Sequence, residues 1–299
     1  MKLSICIVTM NRARQLKEAI ESCLECNLPA ETEFVIVDNA STDHTDQIVE
    51  SVLGNCRYSY IYERQNINLG CGIGRNYAYN KASGEYVYIL DDDAVIDFEN
   101  NPDFFKHAIE IMDNNIDIMT LATQIYDVVW QANRQQISGP KISEGLYKCM
   151  MFCGGSHFLR KDFFPESPYF ANQYGCEEFP PSLKTMDEGK INAFCPDLLV
   201  IHKPIVNRWN YNNEENQIYL IKGIAILYAI KKMMYPRIFV PLLHMAFRLR
   251  CKKYLKGFIN HKEKSNELIK ETREILKGYK RIKVRTVARM YKDFRMSVF

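Results

Sequence analysis

The chain has 299 residues, of which 47% are hydrophobic and 25% charged. This is the balance of a globular protein with a sizeable core, and it excludes a disordered or collagen-like chain. The net charge of +3 conceals an asymmetry: residues 231–299 hold 20 Lys and Arg against 5 Asp and Glu, a net of +15 that leaves −12 for residues 1–230.

In chain order, residues 3–8 form an apolar run after a single Lys, and Asn11-Arg12-Ala13-Arg14 breaks it with no small-residue cleavage site. That predicts a buried first strand, not a signal peptide. Residues 14–25 set Leu16, Ala19, Ile20, Cys23 and Leu24 on one helical face. A second strand over 33–37 runs into Asp38-Asn39-Ala40-Ser41-Thr42-Asp43, whose side chains cap helices and bind their own backbone. Residues 46–53 read as helix, 58–63 as strand, 73–82 as helix and 85–90 as a third core strand. Strands alternating with helices predict an α/β sheet with crossovers. Ligands bind such sheets beyond the carboxyl ends of the strands, and Asp38, Asp91, Asp92 and Asp93 stand at two such ends.

The middle is less regular. A helix over 103–113 and a short strand over 118–122 precede a polar stretch, 131–148, that reads as a hairpin or a mobile loop; 150–159 is extended and 198–201 is a short strand. From 217 onward the pattern is helical, densest in apolar residues over 218–230, but Lys222, Lys231, Lys232, Pro236, Arg237 and Pro241 interrupt it. A simple membrane span needs about 20 uninterrupted apolar residues. Two readings of this tail stay open: basic amphipathic helices lying on an anionic membrane, or helices with one face on the rest of the protein and the other solvated. The ten cysteines are scattered, with Cys6, Cys153 and Cys195 in apolar runs, and read as free thiols of a reducing compartment. Cys23 and Cys26 form a C-x-x-C without the second pair that a zinc site needs.

The chemistry centres on Asp91-Asp92-Asp93, which follows the strand-like Tyr86-Val87-Tyr88-Ile89-Leu90. Three adjacent carboxylates repel one another and call for a counter-cation when buried; oxygen ligands suit Mg²⁺ or Mn²⁺. A strand sets Asp91 and Asp93 on one side and Asp92 on the other. The plain alternative is a solvated acidic turn.

Beyond this point the chain resembles the family 2 glycosyltransferases, inverting enzymes of GT-A fold. Residues Ser4-Ile5-Cys6-Ile7-Val8-Thr9-Met10-Asn11-Arg12 are similar to that family's opening strand and loop, and Val35-Ile36-Val37-Asp38-Asn39-Ala40-Ser41-Thr42-Asp43 to its second-strand signature. Asn68-Leu69-Gly70, Gly74-Arg75-Asn76, Ala82-Ser83-Gly84-Glu85-Tyr86 and Leu90-Asp91-Asp92-Asp93 keep its order and spacing. The resemblance is strongest over residues 1–100 and continues to about residue 204. It implies a GT-A catalytic domain over 1–205, a Rossmann-like nucleotide-binding half with a mixed central sheet, followed by a basic amphipathic helical region over 206–299.

By position, the resemblance implies that Thr9, Asn11, Arg12, Asp38, Asn68 and Arg75 line the nucleotide pocket. Asp91 and Asp92 would lie beside ribose and diphosphate, and Asp93 would ligate Mn²⁺ or Mg²⁺. For Asp38 a capping role competes with, or accompanies, the nucleotide contact. Gly154 and Gly155 resemble the glycine-containing strand near donor sugar and acceptor. Glu177-Glu178 stands where the family has a Glu-Asp pair opening a helix, so Glu178 replaces the usual Asp base; Glu177 is the alternative, and Pro180-Pro181 just after is unfriendly to a helix. His202 ends the strand-like Pro196-Asp197-Leu198-Leu199-Val200-Ile201 and would be a further metal ligand.

The implied partners are a nucleotide-sugar, a UDP-sugar in the first instance, and a glycan or lipid-linked acceptor. The implied place is the cytoplasm, with the basic helices on the inner face of the membrane. No nucleic-acid-binding module accompanies the basic tail. Three rivals are weaker. Asp91-Asp92-Asp93-Ala94-Val95 fits the D-x-D-x-V of haloacid-dehalogenase-type phosphatases, but ninety residues precede it. Gly70-Cys71-Gly72-Ile73-Gly74-Arg75 misses the dinucleotide G-x-G-x-x-G at its sixth position. A degenerate nucleotide-sugar-binding or adaptor protein has only the Glu178 departure in its favour.

Overall fold

The computed structural model describes residues 1–173, 175–205 and 210–299. The boundary expected after residue 205 adjoins residues 206–209, which lie outside the described residues. The first half follows the expected alternation: β1 (Leu3–Thr9), α1 (Ala13–Leu24), β2 (Thr32–Asp38), α2 (Thr45–Leu53), β3 (Ser59–Arg64), α3 (Cys71–Lys81), β4 (Tyr86–Asp91) and the short β5 (Ala94–Ile96). Next come α4 (Phe104–Asn114), β6 (Ile118–Asp127), β7 (Ala132–Asn133), β8 (Ser138–Ser143), β9 (Leu146–Cys149), β10 (Ser156–Arg160), α5 (Phe179–Asp187) and β11 (Ile191–His202). Among the described residues four α-helices follow: α6 (Glu214–Met234), α7 (Val240–Tyr254), α8 (His261–Ile275) and α9 (Val284–Phe294).

Among the described residues eleven strands form one mixed sheet in the order β3-β2-β1-β4-β10-β6-β11-β9-β8, with β5 on β11 and β7 on β6. β3, β2, β1 and β4 are parallel, and β10 runs antiparallel between β4 and β6. The period-2 alternation of the strands feeds two cores. Leu3, Ile5, Ile7, Phe34, Ile36, Tyr88 and Leu90 face Leu16, Ile20 and Phe104 of the helices on one side. Cys6, Val35, Val37, Val87 and Ile89 face Ala78 and Tyr79 of α3 on the other. The chain leaves β1 for β2 on one flank and reaches β4 on the other, so β1 is the topological switch point. A crevice opens at the carboxyl ends there.

Three expectations change, and one of two alternatives is selected. β6 and β11 are longer than the short strands expected at 118–122 and 198–201. They pair in parallel, and a register shift between Cys195 and Leu199 absorbs Pro196, Asp197 and Leu198. The stretch 131–148 is a hairpin built by β8 and β9. The strand expected over 150–159 begins only at Ser156, because Gly154 and Gly155 form a turn. Pro180 and Pro181 fall in the first turn of α5, where no intrahelical N–H bond is lost, and both are tolerated.

The helical tail packs on the rest of the protein. Ile226, Ile230 and Met234 of α6, Leu243 of α7 and Val287, Met290 and Phe294 of α9 share a core with Phe179 and Leu183 of α5. Asp187 at the end of α5 accepts from the Lys283 backbone N–H and the Thr286 hydroxyl (both 2.7 Å) and so ties down the start of α9. Among the described residues no helix is long and apolar enough to cross a membrane.

Candidate active site

At the mouth of the crevice the β1–α1 and β2–α2 loops are laced together. Asn11 holds a left-handed backbone (φ 53°), its N–H donates to Ser41 Oγ (2.9 Å) and its side-chain oxygen accepts from the Thr42 N–H (2.7 Å). This fixes Arg12 so that Nη1 lies 2.7 Å from both Asp92 Oδ1 and Asp93 Oδ2. Arg12 thus lends positive charge to the carboxylates for which the sequence demands a cation. Burial still outweighs it at Asp92, whose carboxyl is pushed up to about 6 against the pull of Arg12 and with a push from Asp93. At Asp93 burial acts in the same sense, but the His202 hydrogen bond, the His202 charge and Arg12 together hold the carboxyl below its ordinary value.

His202 and Asp127 end the paired strands β11 and β6 side by side. His202 Nδ1 lies 2.9 Å from Asp127 Oδ2, and Nε2 lies 3.3 Å from Asp93 Oδ1. Asp127 is fully buried and also accepts from Arg134 Nη2 (2.9 Å) and the Val129 N–H (3.0 Å). One ligand atom each from Asp91, Asp93 and His202 falls within 4.8 Å of the others. Two carboxylates and an imidazole backed by a carboxylate fit Mn²⁺ or Mg²⁺. Asp91, expected beside ribose and diphosphate, joins Asp93 and His202 in this cluster, while Asp92 and Asp93 follow the strand in a turn and share Arg12. The acids are therefore not a freely solvated turn.

Arg75 on α3 is the second organiser. Only 4% exposed, it reaches Asp91 Oδ1 with Nη2 (2.7 Å), and Glu178 Oε1 (2.6 Å) and Glu177 Oε1 (3.2 Å) with Nη1. One guanidinium serves three carboxylates. Burial, reinforced by Glu177, pushes Glu178 up to about 8 against the pull of Arg75. Glu177 is further committed, since its Oε2 accepts from the Gly175 N–H (2.7 Å). Gly154 and Gly155 are wedged between these acids: a Cβ on Gly154 would lie 2.0 Å from Glu178 Oε1, and one on Gly155 3.0 Å from Asp91 Oδ2. A side chain at Gly154 would push the Glu178 carboxylate away from Arg75.

The crevice has a volume of about 630 Å³, within the usual range for a small-molecule site. Thr9, Asn11, Arg12, Asn68, Arg75, Asp91, Asp92, Asp93 and His202 all line it. Asn68 also accepts from the Gly70 N–H (2.8 Å), which shapes the entry to α3. Three expectations are corrected in position. Asp38 does not line the crevice: Oδ1 accepts from the Ser41 N–H (2.8 Å) and Oδ2 from the Tyr62 hydroxyl (2.7 Å), so it acts as the loop cap, and Asn39 takes the lining position. Glu177 and Glu178 do not line it either, because they sit behind Arg75. Gly154 and Gly155 lie with them, off the crevice wall.

Besides Asn39, four residues of the site escaped the sequence. Asp127 ends a strand as Asp91 does, and that repeated pattern is the signal that could have found it. Arg134, Tyr219 and Lys222 line the crevice from the hairpin and from α6; nothing in their neighbourhoods marks them.

The family model for glycosyl transferase family 2 matches residues 4–166, over half of the chain. The chain belongs to that family. It is 33% identical over 94 residues to the abequosyltransferase RfbV of Salmonella typhimurium, covering 31% of this chain and 28% of RfbV. It is 34% identical over 116 residues to TarS of Staphylococcus aureus, a poly(ribitol-phosphate) beta-N-acetylglucosaminyltransferase, covering 38% of this chain and 19% of TarS. The matched stretch therefore spans less than a third of either relative. Among solved structures, residues 1–349 of TarS in complex with UDP-GlcNAc superpose with a TM-score of 0.66 at 19% identity, over 96% of this chain and 83% of that one. The mannosyltransferase PcManGT of Pyrobaculum calidifontis, with GDP-Man and Mn²⁺, gives 0.59 at 15% identity over 97% and 79%. The fold is the GT-A fold of these enzymes, extended by the C-terminal helices.

Proposed function

We propose that this family 2 glycosyltransferase moves a sugar from a nucleotide-sugar, the uridine form, to an acceptor hydroxyl with inversion at the anomeric carbon. One observation carries the reading: Asp91, Asp93 and His202 bring ligand atoms within 4.8 Å at the switch point of the sheet, in a crevice of nucleotide-sugar size. The UDP-GlcNAc complex of TarS supports uridine over guanosine. A divalent cation bound there supplies charge neutralisation for the departing diphosphate. The protein's own groups do the rest. Asp127 fixes the His202 ring through Nδ1 and leaves Nε2 facing Asp93. Arg12 and Arg75 hold the acids in place. Glu178, which sits behind Arg75 in the unliganded structure, takes the proton of the attacking hydroxyl directly or through one water once the acceptor is bound, and Glu177 anchors the loop before it.

A thermal-shift panel of nucleotide-sugars and free nucleosides, with Mn²⁺ or with EDTA, tests this. Free ligand at about a hundred times Kd adds roughly 2.7 kcal/mol, so a UDP-sugar with Mn²⁺ is expected to raise the midpoint by several degrees and EDTA to remove the shift. No stabilisation by any nucleotide would refute the reading.

The acceptor belongs to a cell-surface glycan, a polymer acceptor being supported by the poly(ribitol-phosphate) in the name of TarS, and the basic tail holds the enzyme on the inner face of an anionic membrane. Its outward surface suits that role: Ile238, Met245 and Leu249 are 73%, 53% and 60% exposed, among the exposed Arg248, Lys252 and Lys253. Flotation with phosphatidylglycerol-containing vesicles should carry the protein up, with release at high salt. Equal failure to float with anionic and neutral vesicles would count against it.

A further inference from the structure

α6 begins at an Asn213 cap, whose side chain accepts from the Glu215 N–H (3.0 Å), and buries Ile221, Ile224 and Ala225. Within this apolar stretch Lys222 is half-buried and lines the crevice together with Tyr219, one turn earlier on the same helix face. Desolvating an ammonium group is costly unless something answers its charge. The other cations of the crevice are answered: Arg12 pairs with Asp92 and Asp93, Arg75 with Asp91, Glu177 and Glu178, and Arg134 with Asp127. Among the described residues, Lys222 is the one crevice cation that pairs with no carboxylate.

We propose that Lys222, delivered to the crevice by α6, receives the terminal phosphate of the departing nucleoside diphosphate. The inference rests on the nucleotide-sugar reading above. In the transfer the acceptor oxygen bonds the anomeric carbon, its proton passes to Glu178, and the bond from that carbon to the terminal phosphate oxygen breaks with its electron pair left on that oxygen. The leaving group gains negative charge at that phosphate. A Lys ammonium, as a compact point charge, meets it there without competing for the carboxylates that organise the site. The C-terminal helices thereby complete the donor site.

Calorimetric titration with UDP and UMP in the presence of Mn²⁺ tests the assignment on the full chain. Lys222→Met is expected to weaken UDP binding about tenfold and UMP binding less than about twofold, because UMP lacks the terminal phosphate. Lys222→Arg should restore most of the UDP affinity, and Lys256→Met, which removes an exposed charge outside the crevice, should change neither. Equal weakening of UDP and UMP, no weakening of either, or a loss confined to the acceptor KM would overturn the proposal. Wild-type protein that binds no nucleoside diphosphate at all would instead overturn the nucleotide-sugar reading, and the two failures are told apart in the first titration.

Discussion

Asp93→Asn is expected to lower transfer at least about a thousandfold, on the order of 4 kcal/mol of transition-state stabilisation, while the protein stays folded. The side chain stands between Arg12 (2.7 Å) and His202 Nε2 (3.3 Å), and it is one of the three groups whose ligand atoms converge. Asparagine keeps the volume and one oxygen but removes the negative charge from a buried position. The fold should tolerate this, because Arg12 retains Asp92 at 2.7 Å and His202 retains Asp127 at 2.9 Å. Asp93 titrates below its usual range. The stability its charge contributes is therefore present at neutral pH and fades as pH falls through that lowered value, so any cost of the substitution should vanish in acid. Turnover at saturating Mn²⁺, Mn²⁺ affinity by calorimetry and near-UV circular dichroism check the three parts. Near wild-type turnover would remove Asp93 from the metal site.

What the sequence made legible divides near residue 100. Before it, β1, β2 and β4 are short apolar runs whose odd and even residues are buried on opposite faces, and turn-forming residues such as Asp38-Asn39 punctuate the runs; local pattern suffices there. Beyond it, the decisive features are long-range. The strand-like run from Pro196 carries no sign of a bulge, and only the neighbouring strand β6 reveals the register shift between Cys195 and Leu199. Asp127 and His202 are 75 residues apart and become partners only when β6 and β11 pair to their last residues. Arg75 read as a nucleotide-pocket residue, and it does line the crevice; that it also joins Asp91 to Glu177 and Glu178, 102 and 103 residues away, has no local signature. Asp38 illustrates the opposite case: its capping alternative was written in Ser41 three residues on, and capping is what the fold uses.

Glu178→Gln carries the second large effect, a loss of about a hundred- to ten-thousandfold in turnover, with Glu177→Gln milder because Glu177 spends one oxygen on the Gly175 N–H. The environment of Glu178 adds a signature in pH. Burial and Glu177 raise it to about 8, so the unliganded enzyme holds a proton there at neutral pH. The proton must leave before the carboxylate can act as a base. The kcat/KM of the wild type is therefore expected to rise about tenfold per pH unit on the acid side and to level off above about 8, and the Glu178→Gln variant should lose this rise. The stability consequence has a definite sign. The unfolded chain releases this proton near 4.5 and the folded one near 8, so folding stability falls as pH rises through that window and is unaffected by the group below it. Glutamine mimics the neutral acid and cannot ionise. Glu178→Gln should match the wild type in denaturant unfolding near pH 4.5 and become the more stable of the two by up to a few kcal/mol near pH 8.5. A variant that loses turnover but shows neither the flattened profile nor this crossover would make Glu178 a packing residue beside Gly154, and would return the role of base to Glu177.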